Sequence, residues 1–121
     1  MTRSEIFNEI SRLQKEIYSL NRENNKLGRN VTMLNTILNK SKDAIDDFTE
    51  ANDKLSNNII NGSSADKGKV SDSISIINDA VNDTNNLITK INNKISSNNN
   101  TITYDRNRIE QLKYEYYNAE S

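Results

Sequence analysis

The sequence predicts an all-α protein, an elongated antiparallel two-helix hairpin whose arms pack as a coiled coil. Three observations lead there. Apolar residues recur in alternating steps of three and four along both halves of the chain. There is no proline to interrupt a helix. Two of the three glycines, Gly62 and Gly68, stand together near the middle. The predicted elements are a first helix over about residues 3–61, a turn over 62–65 and a second helix over about 66–118, forming one hairpin over 1–121.

The first helix opens on Thr2-Arg3-Ser4-Glu5, which fits a capping box. With Ile6 at heptad position d, the d residues are Ile6, Leu13, Leu20, Leu27, Leu34, Ser41, Phe48 and Leu55. The a residues are Ile10, Ile17, Asn24, Val31, Leu38, Ile45, Asn52 and Ile59. Three of these sixteen are polar, too few to break the seam. Gly62, followed by Ser63 and Ser64, fits a helix stop and a new N-cap.

The second helix repeats the pattern. Its a residues are Ile74, Val81, Ile88, Ile95, Ile102, Ile109 and Tyr116, and its d residues are Val70, Ile77, Thr84, Ile91, Asn98, Asp105 and Leu112. A hairpin sets a layers of one arm against d layers of the other, and pairs whose numbers sum to 129 do so. Ile59 then meets Val70, Leu55 Ile74, Phe48 Val81, Leu38 Ile91, Leu20 Ile109, Ile17 Leu112 and Leu13 Tyr116, while Asn24 and Asp105 share a polar layer. Each arm of roughly 55 residues would be about 80 Å long. Two helices dimerising in parallel are the alternative, which the shared register disfavours. Gly28 on one arm and the stretch SSNNNT, residues 96–101, on the other are poor helix formers, so a kink or frayed pairing is expected at that level.

Composition narrows the function. A net charge of −1 and interleaved lysines and acids give no basic stripe for nucleic acid. Apolar residues make up only 33% of the chain, and no run reaches the ~20 residues that span a bilayer. The amino terminus MTRSEIFNEI lacks the basic and apolar regions of a signal peptide. Cysteine and histidine are absent, and a two-helix rod has no water-excluding pocket, so neither an enzyme, a cofactor nor a small-molecule substrate is expected. Asp43, Asp46 and Asp47 are the densest acid cluster, without the loop of a calcium site. The tripeptides NVT, NKS, NGS, NDT and NNT match glycosylation acceptors, but an asparagine-rich chain produces them by chance.

The flanks of the seam differ. On the e side stand Gln14, Asn21, Gly28, Asn35, Lys42, Thr49 and Ser56 on one arm and Ser71, Asn78, Asn85, Asn92, Asn99 and Arg106 on the other. On the g side stand Ile37, Ala44, Ala51, Ala80 and Leu87, with Met33 and Ile76 beside them at c. A chain this thin cannot bury that stripe itself. A further helix or hairpin is the expected partner, either another protein or a second copy. The bland reading is that small alanines only let the two arms approach closely.

The pattern resembles the small helical hairpins of the WXG-type and YwqH-like families of Gram-positive type VII secretion. The likeness lies in the leucine and isoleucine spacing and in the turn Ile60-Asn61-Gly62 followed by Ser63-Ser64-Ala65-Asp66, with Ile60 where those proteins have tryptophan. Tyr116 and Glu120 fit the Tyr-x-x-x-Asp/Glu pattern linked with export; Tyr116 also has the plainer role of closing the seam over Leu13. The resemblance implies a non-catalytic partner or targeting factor for the helical N-terminal domain of an LXG toxin, alone or with a second small helical protein. It also implies a cytoplasmic location, or export without a cleavable signal. A structural coiled-coil spacer or assembly protein of a phage or cell surface, working as a homo-oligomer, is the alternative.

Overall fold

A computed structural model describes the backbone at residues 1–57 and 63–119 and the side chains at 1–54 and 68–119. Ile59, Ile60, Asn61, Gly62 and Glu120 lie outside the described residues, as does the side chain of Leu55. Two long helices, α1 (Arg3–Asn57) and α2 (Ser63–Asn118), pack against each other as a hairpin, and no strand occurs among the described residues.

The capping box forms. Glu5 N–H donates to Thr2 Oγ1 at 3.2 Å, and Thr2 N–H donates back to Glu5 Oε2 at 3.4 Å, so two backbone donors that a bare helix start leaves orphaned are satisfied. At the far end of α2 the Asn118 side-chain amide donates to the Tyr114 carbonyl at 2.8 Å. Helix α2 begins at Ser63, within the stretch expected to be the turn.

The heptad assignment describes the seam well. Every a and d side chain among the described residues is buried or half-buried except Phe48, which is 41% exposed. The contacts divide the chain into two compact units, Met1–Asn30 with Ile91–Ser121, and Val31–Lys90. In the first, which carries both chain ends, Ile6, Leu13, Ile109 and Leu112 form a buried cluster with Ile10, Ile17, Tyr116 and Ala119 packed against it. In the second only Leu38 and Val81 reach comparable burial among the described side chains.

The register differs from the expected one by a whole heptad. Asn98 Nδ2 donates to Asn24 Oδ1 at 2.9 Å and to Glu23 Oε1 at 3.3 Å, and Asn24 Nδ2 donates to Asn99 Oδ1 at 3.0 Å. Asn24 therefore shares its layer with Asn98, a pair whose numbers sum to 122, and not with Asp105. Tyr116 agrees: the Arg3 guanidinium lies 5.5 Å from the centre of its ring, whereas a sum of 129 would set it level with Leu13, about 15 Å further along α1.

The reason is that a slip of seven residues leaves every a facing a d, so the apolar pattern cannot distinguish the two alignments. The amides can. A sum of 129 sets Asn98 against Val31 and leaves a buried amide without a partner; a sum of 122 gives Asn24 and Asn98 each other. At the level expected to be weak, α1 is continuous through Gly28 and α2 through residues 96–101. The asparagines that lower helix propensity there are the ones that bridge the arms.

Candidate protein-interaction face

The unit 31–90 contains all seven residues of the expected stripe. Met33 is 63% exposed, Ile37 52%, Ile76 69% and Leu87 46%. Ala51 and Ala80 are exposed and Ala44 is half-buried. On α1 they follow one another at steps of four and seven, and on α2 likewise, so each arm carries its members along a single face. In an antiparallel pair the two g rows lie on the same side of the seam. Within 31–90 the described e row is exposed and polar. The chemical contrast between the flanks thus survives folding.

The g row also differs between the two units. In the end unit Glu9, Glu16, Glu23, Thr101 and Arg108 occupy it half-buried, with Asn30, Lys94 and Glu115 exposed. Glutamate and arginine carry methylene stems long enough to cover the edge of the seam, and the Glu23 carboxylate accepts from the buried Asn98 amide. Alanine has no such stem. The g row of 31–90 therefore shields its seam less, and this accounts for the shallower burial there and for the open Phe48 ring. Phe48 belongs to the candidate face; its d position gave no hint of this, because a heptad label does not register how short its neighbours are.

Charge in the end unit is paired along each helix. Arg12 holds Glu9 through Nη2–Oε1 and Nε–Oε2 contacts of 2.6 and 3.0 Å and reaches Glu16 at 3.5 Å. Its hydrogen bond holds the Glu9 carboxyl below the usual range. Arg108 pairs with Glu115 at 3.5 Å. Asp105 is 2% exposed, and its Oδ2 has no hydrogen-bond partner. Burial, and then the neighbouring Glu16 carboxyl, push its pKa up from 3.8 to about 6.

Tyr116 packs against the apolar cluster and edge-on to Tyr117, with ring centres 6.1 Å apart. Its ring sits level with Arg3 and not over Leu13. A shallow hollow of about 110 Å³ beside it is lined by Phe7, Ile10, Lys113, Tyr116 and Tyr117. Phe7 and Tyr117 are exposed, and neither stands on the seam that heptad reasoning follows. Asp43, Asp46 and Asp47 are exposed, and no group among the described residues is suited to hold a metal ion. Among the described residues no helix is long and apolar enough to cross a membrane.

No protein-family model, curated protein or solved structure matches this chain.

Proposed function

We propose that this chain is a non-catalytic helical partner protein, which lays the g flank of residues 31–90 along a helical domain of another protein. The observation that carries the reading is the set of four large aliphatic side chains, Met33, Ile37, Ile76 and Leu87, each 46–69% exposed beside alanines on one flank of a seam whose other flank is polar. Small residues let a third helix approach closely, and the aliphatics supply the apolar area it would cover.

Magnitudes set the size of the contact. Four side chains burying about 100 Å² each contribute roughly 10 kcal/mol at ~25 cal/mol per Å². Association opposes binding by about 4–15 kcal/mol. The four roughly balance that cost, so a contact that also runs along the alanine row and covers Phe48 supplies the surplus. A helix or hairpin is the occupant that can follow such a row.

The resemblance to type VII hairpins supports a narrower form of this proposal: the partner is the helical N-terminal domain of an LXG toxin, met in the cytoplasm, and this chain helps direct it to the secretion machinery. Co-purification with the helical N-terminal domain of an LXG toxin tests it. Ile37→Asp and Leu87→Asp should each weaken binding at least tenfold with helicity unchanged, the loss of roughly 1.4 kcal/mol or more. Binding that survives both changes would move the interface elsewhere. A stable dimer of the isolated chain, dissolved by the same substitutions, would identify the occupant as a second copy.

A further inference from the structure

The seam of the end unit contains a feature that helix pairing does not require. Asp105 occupies a d position between Ile102 and Ile109, all three buried, where the rest of the pattern would place an aliphatic residue. Its Oδ2 lacks a hydrogen-bond donor. From α1 the groups facing it are Glu16, Arg12 and Glu9. Arg12 is engaged by Glu9 and Glu16 and favours the ionised carboxyl less than burial and Glu16 oppose it. On α2 Arg108, three residues on from Asp105, pairs with Glu115. Two carboxyls thus meet across the seam without a donor between them.

We infer that Asp105 and Glu16 form a proton-operated clasp between the arms of the end unit: one proton shared by the two carboxyls ties α1 to α2, and its loss leaves two like charges at a buried layer and loosens them. The shared proton supplies the donor that Oδ2 lacks. A carboxyl pair in which one member is neutral can be hydrogen-bonded and buried, whereas two carboxylates at one site repel.

The sign follows from linkage. Asp105 binds its proton more tightly folded, at about 6, than unfolded, at 3.8. Folding takes up a proton between those values, so the clasp's contribution is complete on the acid side and is lost as pH rises through about 6. Glu9, whose carboxyl is held low by its hydrogen bond to Arg12, acts in the opposite direction on the acid side of that interval. The interval from pH 5 to 7.5 isolates the clasp.

Amide hydrogen exchange of the full chain, corrected for the intrinsic pH dependence of exchange, tests this. Protection at Leu13, Ile109 and Leu112 should fall at least tenfold from pH 5 to 7.5, while Leu38 and Val81 change little. Asp105→Asn should abolish that fall and hold protection at pH 7.5 at or above the wild-type value at pH 5. Glu16→Gln should also flatten the profile. A wild-type profile that is flat or rises with pH, or an Asp105→Asn profile that keeps the wild-type slope, would overturn the clasp. If Asp105→Asn fails to fold, Glu16→Gln alone decides by the same criterion.

Discussion

Asn24 and Asn98 show what a single polar layer does in an otherwise aliphatic seam. Asn98 is 3% exposed, and its amide is satisfied by Asn24 and Glu23. Asn24→Leu would leave that amide buried without its nearest acceptor and should destabilise the hairpin by about 1–3 kcal/mol, read as a shift in the denaturation midpoint. Replacing both asparagines with leucine should recover the loss, because an apolar pair needs no partner, but should release the register. A short crosslinker between cysteines at 20 and 102 should then lose yield to one between 20 and 109. Leu112, with no exposed area, belongs to the opposite class. Leu112→Ala removes packing and should lower stability by roughly 2–5 kcal/mol with the register kept.

At the scale of the helix, local chemistry outweighs the irregularities it carries. Thr2→Ala should remove the capping box and cost about 1 kcal/mol, visible as fraying of the first turn in hydrogen exchange. Gly28 and Gly68 lie within helices, and a Cβ added at either would meet nothing within 4 Å. Gly28→Ala and Gly68→Ala should therefore each stabilise by roughly 0.5–1 kcal/mol in thermal unfolding, by restricting the unfolded chain. Both helices and nearly all the seam were legible in the sequence, since a period of three and four is a local property that Ile6 and Ile10 already begin to declare. The alignment of the arms was not. It is set by side chains some 75 positions apart, and the isoleucines and leucines allow it to slip by seven.

For the molecule as a whole, the two units divide the seam's work differently. The end unit flanks its seam with half-buried Glu9, Glu16, Glu23 and Arg108, while the unit 31–90 leaves an apolar flank open. Exchanging Ala44 and Ala80 for glutamate should cover that flank, leaving helicity unchanged and weakening partner binding as Ile37→Asp does; equal affinity in the doubly substituted chain would show that the flank carries no contact. The apolar row was readable from composition at c and g, whereas Phe48 and the hollow beside Phe7 and Tyr117 depend on how far neighbouring side chains reach, which a repeat pattern does not contain. The amide layer at Asn24 and Asn98 also bears on how such a gene can change in length. Adding or deleting one heptad in both arms on the bend side of that layer preserves its alignment. The same change in one arm alone would force an asparagine to face a hydrocarbon, so descendants should differ in matched multiples of fourteen codons.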